Sequence, residues 1–522
     1  MIFSNKENKS PVLNVKAEGA KGDGIADDTL VFKQILESAQ SSAGIQVYIP
    51  SGIYRLTEEL VIFSNTTILA DSNAHVVRDH PGYLLINGYK NTQSKFPPSK
   101  FTRYNGNGNI SIYGGIWNGN GINQKSKASI FHFGHGCNLR IEKATFLDVA
   151  NSHHIEFNAS KDIYITECKF LGHVGESTLN ESIQLDLSKR GVTILGKDDE
   201  TPCKNVWIKN CFFSDSKTEG SNHIPRAIGS HTATIGVYHQ NINIENNVVE
   251  NSLSFAFRAY AWKNVSITNN KLINCGAGIN WRTNMVGNSM DSHTEDEDGF
   301  QTGKSQIVEN GVISGNIVEG GMNNGRAIEI YGENTGKAKG LTVTGNVITL
   351  IPSRSINDAI LLNYTQESTV TGNRVYGAKK SGIACRNVWS VIVTGNVIDY
   401  VEGQGIEVSG ESAYSTISNN NIKKTGKNGI YVTKVDTCTI TGNTIGGVNG
   451  KKDTSLYAHI RLTNNVRRIS ITGNTCRNLG SNYVATFALS ITSGTDIVRS
   501  GNNFSGLSTS GVKGLNDGSD LQ

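Results

Sequence analysis

Two carboxylates and one imidazole are the first side chains whose types and spacing suit a reaction. Glu181 and Asp186 lie in the segment NESIQLDL (180–187), and His231 lies in a later segment, AIGSHTATIG (227–236). Glycoside hydrolysis needs two carboxyl groups, one protonated to assist the leaving oxygen and one ionised to activate water or attack carbon. A separation of about 5 Å between them implies retention, and a wider one implies inversion. The predicted catalytic residues are Asp186, Glu181, His231 and a further carboxylate, Glu156.

Cationic, amide and phenol side chains follow in the same part of the chain. Arg258 and Arg282 suit the carboxylate or phosphate of an anionic sugar, because a guanidinium binds such groups with two parallel hydrogen bonds. The predicted substrate-binding residues are Arg258, Gln184, Tyr260, Arg282, Asn280, His239, Glu329 and Tyr331. His223 and Arg226, in HIPRA (223–227), lie close by in the sequence.

Other readings of the same residues stay open. A lyase would use His231 or Tyr260 as the base that removes the proton next to a uronic carboxylate, and an arginine to neutralise that carboxylate. Alternatively, the polar residues only solvate an exposed β face. We predict neither a metal site nor a cofactor, since the acidic segment HTEDEDG (293–299) lacks the ligand spacing of a calcium loop.

A short repeat must position these side chains. The motif VTGN recurs at 343–346, 370–373 and 393–396, and ITGN recurs at 440–443 and 471–474, with a base period of about 23 residues. Apolar and polar residues alternate within each copy, which indicates strands. A unit this short cannot bury its own apolar face and must stack on its neighbours. The repeat therefore predicts an all-β fold, a right-handed single-stranded parallel β-helix of about fourteen coils.

The predicted domains follow from this repeat. Residues 1–60 form an N-terminal segment with a short capping helix, residues 61–505 form the β-helix, and residues 506–522 form a C-terminal tail. The repeated asparagines, from Asn316 to Asn474, are expected to form an inner ladder of hydrogen bonds rather than a site, because asparagine tolerates left-handed backbone and can bond its neighbour in the next coil.

Stacking in register places equal positions of successive coils one above another. Two neighbouring outward positions then collect the candidate residues. The first comprises Glu156, Gln184, Arg258, Asn280 and Glu329, and the second comprises Asp186, His231, Tyr260, Arg282 and Tyr331. The same coils carry the longest spacings between repeats, and long insertions on a solenoid usually build the walls of a groove.

Composition excludes several classes of function. The 522 residues include 49 Lys and Arg against 45 Asp and Glu, a net charge of +4, so no basic field for nucleic acid is expected. No apolar run approaches the roughly 20 residues of a membrane span, and the start MIFSNKENKS lacks the features of a signal peptide. The eight cysteines are spread singly, and we interpret them as buried small residues.

The N-terminal residues resemble a known family. GAKGDGIADDT (19–29) followed by VYIPSGIYRL (47–56) is similar to the start of the pectate-lyase-superfamily β-helix proteins, which include phage tailspikes, pre-neck appendages and polygalacturonases. In this family Asp23, Asp27 and Asp28 shape a turn. The chain has the GHG of polygalacturonases at 134–136 but lacks their NTD and RIK, so it resembles a tailspike or appendage more closely.

That resemblance and the candidate residues together predict a tailspike-like glycoside hydrolase that degrades a bacterial surface or extracellular polysaccharide. The alternatives are a polysaccharide lyase and a non-catalytic spike that binds a glycan or teichoic acid. The resemblance further implies a homotrimer on a virion tail or in an extracellular setting.

Overall fold

The structure is a computed structural model. It describes residues 12–92, 96–191, 193–287, 293–451, 457–485, 487–504, 507–510 and 516–517. The chain forms two compact units, the first of residues 1–232 and 237–243 and the second of residues 233–236 and 244–522. Strands dominate both units, and no helix in the described ranges is long and apolar enough to cross a membrane.

The first unit opens with a strand, Val12–Asn14, a second strand, Asp23–Asp27, and the α-helix Thr29–Glu37, which is followed by a 3₁₀ turn at Ser38–Ser41. The helix buries Phe32, Ile35 and Leu36 on one face. Because so short a helix is only marginally stable by itself, the packing of this face stabilises it. Val12–Asn14 already pairs in parallel with a later strand, and the stacking of strands therefore begins inside the segment 1–60.

Aspartates shape the turn before the helix, as expected. The carboxylate of Asp28 accepts hydrogen bonds from the backbone N–H groups of Lys21 and Gly22, at 2.6 and 3.1 Å. Asp28 occupies the N-cap position without a side-chain cap, and it is Asp27 that accepts the N–H of Thr29 at 3.0 Å. Both carboxylates accept hydrogen bonds from backbone N–H groups, which agrees with a structural role.

Each later coil of the first unit contributes strands to three rows. The first row comprises Val12–Asn14, Ile45–Ile49, Thr66–Arg78, Ile110–Asn118, Cys137–Glu142, Lys161–Thr166, Lys204–Lys209 and His239–Glu245, of which the last two residues belong to the second unit. The second comprises Asp23–Asp27, Gly52–Leu56, Thr145–Ala150, Lys169–Val174 and Phe212–Ser214, and the long strands Thr66–Arg78 and Ile110–Asn118 extend into it. The third comprises Leu60–Val61, Leu85–Ile86, Phe131–Gly134, Ile155–Asn158, Glu181–Asp186 and Arg226–Gly229.

The second unit repeats the same three rows, together with a 3₁₀ turn at Pro352–Arg354. Its first row comprises Trp262–Thr268, Val308–Ser314, Ala338–Thr344, Thr365–Thr371, Trp389–Thr394, Ser412–Ser418, Val435–Thr441, Val466–Thr472, Gly494–Ser500 and Asn516–Asp517. Its second comprises Val248–Glu250, Lys271–Ile273, Ile317–Gly320, Val347–Leu350, Arg374–Tyr376, Val397–Val401, Asn421–Thr425, Thr444–Gly446 and Thr475–Arg477. Its third comprises Phe255–Tyr260, Ala277–Arg282, Ile328–Tyr331, Ile360–Asn363, Ile383–Arg386, Ile406–Ser409, Ile430–Thr433, Ala458–Thr463, Phe487–Ile491 and Ser508–Ser510.

Neighbouring strands within a row are parallel and stay in register. In the first unit Ile163 aligns with Val206, and Phe146, Phe170 and Phe213 stack with ring centroids 5.1 and 4.8 Å apart. In the first row the inward positions are buried and the outward ones are exposed or half-buried, as the alternation in the sequence predicts. In the third row many outward positions are buried as well, among them Gln184 and Asp186. The predicted parallel β-helix is confirmed.

An asparagine ladder runs through the second unit, as predicted, but the left-handed backbone belongs to a neighbouring residue and not to the asparagine. The side-chain amide of Asn373 donates to Oδ1 of Asn396 at 3.0 Å, and its Oδ1 accepts from Asn346 at 2.8 Å. Asn373 itself does not have positive φ; the preceding Gly372 does, with φ 64°. The glycine of each TGN motif makes the left-handed turn, and the asparagine provides the hydrogen bonds.

The cysteines and one tryptophan occupy the interior. All eight cysteines are free thiols, and all but the half-buried Cys137 are buried. Trp281 is buried, as its alternation predicts, and its ring fills the space beside Gly311, where a Cβ would lie 1.7 Å from the ring. Of the predicted C-terminal tail 506–522, most residues lie outside the described ranges; Ser508–Ser510 and Asn516–Asp517 are strands.

Candidate functional site

The third row of the first unit brings three predicted catalytic residues together. Glu181 and Asp186 are the first and last residues of one strand, and His231 lies two residues beyond the end of the next strand of the row. Imidazole Nδ1 of His231 is 3.2 Å from Glu181 Oε2, and Nε2 is 3.6 Å from Asp186 Oδ2. We call these three residues the Glu181–His231–Asp186 cluster.

Exposure differs sharply within this cluster. The side chains of Glu181 and Asp186 are 0% and 4% exposed, whereas that of His231 is 42% exposed. The two carboxylates therefore face the imidazole from the protein side, and the imidazole faces solvent. Because each ring nitrogen lies near a carboxylate oxygen, the arrangement stabilises a proton on the ring.

Glu181 is held ionised. Burial favours its neutral form, but the attraction and hydrogen bond of His231, together with the charge of Arg226, outweigh burial and hold the pKa of Glu181 below its ordinary value. Arg226 Nη1 lies 2.8 Å from Glu181 Oε1 and also donates to the carbonyl of Leu179. Glu181 is thus unsuited to act as the protonated acid of a hydrolase at neutral pH, and it orients His231 instead.

Asp186 is fixed by the backbone that carries His231. Its Oδ1 accepts the N–H groups of His231 and Thr232 at 3.3 and 3.2 Å, and the side-chain amide of Gln184 donates to Oδ2. Gln184 aligns with Gly229 of the next strand, which has no side chain to cover it. The buried Oε1 of Gln184 has no hydrogen-bond partner among the described residues.

Glu156, the fourth predicted catalytic residue, lies in the preceding coil in register with Gln184. It binds His132 Nδ1 at 3.1 Å and accepts a hydrogen bond from Ser129 at 3.0 Å. Burial raises the pKa of Glu156, but the His132 charge and hydrogen bond outweigh it and hold the pKa below its ordinary value. The structure pairs Glu156 with His132, a partner that the catalytic prediction omits, rather than with Asp186.

Further histidines of the first unit are interior. His239, predicted to bind substrate, is buried, and its Nδ1 accepts the N–H of Cys203 at 3.0 Å. Because the ring is buried and bonded to the backbone, it supports the chain from inside, and the prediction of a substrate contact is corrected. Burial also lowers the pKa of His239 to about 4. His153 Nδ1 donates to the carbonyl of Glu181 at 2.7 Å, and the buried His135 of the GHG motif lies 2.7 Å from the carbonyl of Arg103.

The first long insertion packs against a loop of an earlier coil. Its residues after Leu187 pack on the loop near Asn91, whose side chain donates to the carbonyls of Thr193 and Gly196 at 3.1 and 2.9 Å. The backbone of Lys197 also donates to the carbonyl of Phe101. The two loops stand together beside the strand Phe131–Gly134, in the same row as the cluster.

The remaining predicted substrate-binding residues lie in the second unit and are described there by themselves. Register is as predicted: Arg258 aligns with Asn280 and Tyr260 with Arg282, and in the next coil Asn280 aligns with Glu329 and Arg282 with Tyr331. The guanidinium of Arg258 lies 4.4 Å from the Tyr260 ring centroid, and that of Arg282 lies 5.0 Å from the Tyr331 ring.

Several of these side chains already have protein partners. Tyr260 is fully buried, its hydroxyl is 2.7 Å from His293 Nδ1, and burial raises its pKa, so it does not present a free phenol to substrate. Arg282 pairs with Glu333 at 3.2 Å, and Glu329 pairs with Arg326 at 2.8 Å. The sequence pattern predicts their common face but not these ion pairs, because Glu333 and Arg326 lie outside the repeated positions.

The comparisons with known proteins agree with the fold. Residues 12–280, just over half of the chain, match the family model described as rhamnogalacturonase A/epimerase, pectate lyase-like, and residues 301–445 match the model of the right-handed beta helix region. The plasmin and fibronectin-binding protein A of Streptococcus pneumoniae is 26% identical over 429 residues, which are 77% of this chain and 59% of that relative. The chain thus spans about three fifths of the length of that relative.

Two further similarities were found. The pre-neck appendage protein of Bacillus phage phi29 is 25% identical over 210 residues, which cover 38% of this chain and 20% of that protein. The crystal structure of PfbA, a surface adhesin of Streptococcus pneumoniae, superposes with a TM-score of 0.62 at 24% identity, covering 76% of this chain and 92% of that one. The resemblance to pectate-lyase-like β-helix proteins is confirmed, and the chain belongs to the rhamnogalacturonase A/epimerase, pectate lyase-like family.

Proposed function

We propose that the chain is a glycoside hydrolase that cleaves a bacterial surface or extracellular polysaccharide at the Glu181–His231–Asp186 cluster. The observation that carries the proposal is the half-exposed His231 imidazole between two buried carboxylates. Family membership supports a carbohydrate substrate, but the reaction is inferred from the cluster alone.

The roles follow from the geometry. At 3.6 Å from Asp186, His231 Nε2 is too far for a good hydrogen bond to that carboxylate and can give its proton to the glycosidic oxygen as the C–O bond breaks. Asp186 supplies the carboxylate that activates water or attacks the anomeric carbon. Glu181 keeps the imidazole oriented through Nδ1 and balances its charge.

The test compares Asp186→Asn and His231→Gln with the parent chain on a panel of purified bacterial polysaccharides. Loss of a general acid or base costs about 100- to 10,000-fold in rate, so each variant should release reducing ends at least 100-fold more slowly. Asp496→Asn is the matched control: Asp496 is exposed, lies in the second unit and has φ 56°, which asparagine tolerates.

Three results would contradict the hydrolase. Full activity in both variants would show that the cluster takes no part in the reaction. Ultraviolet absorbance of an unsaturated uronide product would show elimination, with His231 as the base that takes the proton. Saccharide retention without any turnover would show binding alone.

Binding alone is the second candidate function, and a specific observation favours it. The relative that matches 77% of this chain is named for binding plasmin and fibronectin, and its solved structure is called a surface adhesin. If binding is the function, the same face holds a glycan or teichoic acid without cleaving it.

We also propose that the chain forms a homotrimer in a virion tail or at a cell surface. Light scattering on the purified chain would test this oligomeric state.

A further inference from the structure

An open groove lies on the C-terminal coils of the second unit, among residues that the proposed reaction does not use. It has a volume of about 820 Å³. It is formed where four successive first-row strands begin: Trp389–Thr394, Ser412–Ser418, Val435–Thr441 and Val466–Thr472. The side chains that line it include those of Trp389, Tyr414, Lys434, Asp436, Arg467 and Arg468.

The backbone of this groove repeats a left-handed position in every coil. Trp389 aligns with Ala413, which aligns with Asp436 and, in the next coil, with Arg467. The residues that directly follow them therefore also align, and all four have positive φ: Ser390, Tyr414, Thr437 and Arg468. Tyr414 has φ 54° and Arg468 has φ 52°. In the three coils before Trp389 this position holds Asn310, Gly340 and Glu367. A bulky residue there is disfavoured, so local backbone preference does not explain Tyr414 or Arg468.

Two aromatic rings stand exposed together in the groove. Trp389 and Tyr414 are 48% and 54% exposed, and their ring centroids are 4.7 Å apart with an interplanar angle of 57°. Large aromatic faces left in water at one place mark a binding surface. A flat indole face binds the apolar C–H face of a sugar ring, while the sugar hydroxyls stay hydrated or reach polar neighbours.

Positive charge lies next to these rings. Arg467 and Arg468 both pair with Oδ2 of Asp436, Arg467 at 2.7 Å, so two guanidinium groups share one carboxylate. Both arginine side chains remain more than half exposed. Lys434 is a third cation of the lining, and Glu411 is its second carboxylate. Guanidinium groups with free N–H donors bind a sugar carboxylate in bidentate fashion.

We propose that this groove is a second saccharide site, which binds an acidic oligosaccharide by stacking on Trp389 and Tyr414 and by ion pairs to Arg467, Arg468 and Lys434. The lining reaches from Trp389 to Ser493, five coils, or roughly 19 Å at the usual strand spacing. That length holds several sugar units of a polymer. This inference does not depend on the proposed reaction.

The test measures binding of hexagalacturonate, an acidic six-sugar probe, by calorimetry with the full chain carrying Asp186→Asn, so that no cleavage intervenes. The fully methyl-esterified hexamer is the neutral counterpart. We expect the acidic probe to bind at least about tenfold more tightly than the ester, since the lining has more cations than carboxylates. Trp389→Ala should weaken binding about tenfold or more, whereas Trp389→Phe, which keeps a ring, should retain most of it.

The arginines and a matched aromatic control complete the design. Arg467→Gln with Arg468→Gln should abolish the preference for the acidic probe over the ester. Trp207→Ala is the control, because Trp207 stacks on Tyr164 at the same 4.7 Å but lies in the first unit. Circular dichroism melts identify any variant that fails to fold, and the Trp389→Phe result then decides the role of the ring.

Four outcomes would overturn the inference. These are no binding of the acidic probe, equal binding of acid and ester, unchanged affinity in Trp389→Ala, and equally tight binding of poly-glutamate, which would show that charge alone is recognised. If the parent chain cleaves no polysaccharide but Trp389→Ala still loses the probe, the hydrolase proposal fails and the second site stands.

Discussion

Glu181 is a carboxylate without exposed surface, and its charge is paired with the half-exposed His231 and with the buried guanidinium of Arg226. Arg226→Met removes that guanidinium and should lower the free energy of unfolding by about 3–5 kcal/mol, because the Glu181 charge then stays buried without its arginine partner. Urea unfolding followed by circular dichroism measures the change.

A double variant separates charge from packing. Glu181→Leu combined with Arg226→Met removes both charges and should recover most of the lost stability, since a buried ion pair is often replaced by apolar side chains at little cost. A double variant as unstable as Arg226→Met alone would mean that side-chain volume, and not charge balance, governs this position.

Part of this site was predictable from residue alternation, and part was not. The alternation in NESIQLDL, with the register of successive coils, predicts that Asp186 and His231 lie side by side, and the structure brings their side chains within 3.6 Å. The bond from Glu181 to the other imidazole nitrogen depends on the ring's rotation, which no periodicity encodes. The interior position of His239 was missed because an insertion precedes it and shifts the repeat there.

At the scale of the strand turns, the asparagine ladder allows a comparison between adjacent residues. Asn420 is buried: it donates to Asn443 Oδ1 at 2.9 Å and to the carbonyl of Val393, and its own Oδ1 accepts from Asn396. Asn420→Ala leaves several of these groups without partners and should cost at least about 3 kcal/mol of unfolding free energy.

Asn421→Ala, at the next position, is the control, because that side chain is exposed. It should change the unfolding free energy by no more than about 0.5 kcal/mol. Equal effects of the two substitutions in a thermal or urea melt would show that the ladder's hydrogen bonds add nothing beyond ordinary surface contacts.

For the molecule as a whole, stability is distributed because each coil contacts chiefly its neighbours. Asn420→Ala should therefore speed amide hydrogen exchange in the flanking strands Trp389–Thr394 and Val435–Thr441, and leave Ile155–Asn158 of the first unit as protected as before. Exchange followed by mass spectrometry of peptides measures both regions. A uniform gain in exchange would show that the two units open as one cooperative body.

The fold was the most predictable level, because a period of about 23 residues with an apolar alternation permits few other architectures. The division into two compact units was not predictable, since the repeat and the composition continue across it.

The asparagine ladder has a direction. From Asn247 to Asn474 each side-chain amide donates to the asparagine of the next coil, and from Asn270 to Asn502 each Oδ1 accepts from the asparagine of the previous coil. Aligned amide dipoles add, as the peptide dipoles of an α-helix do, and each bond polarises the next. The second unit therefore contains a buried electrical polarity along its row of asparagines, with the positive pole toward the C-terminal coils.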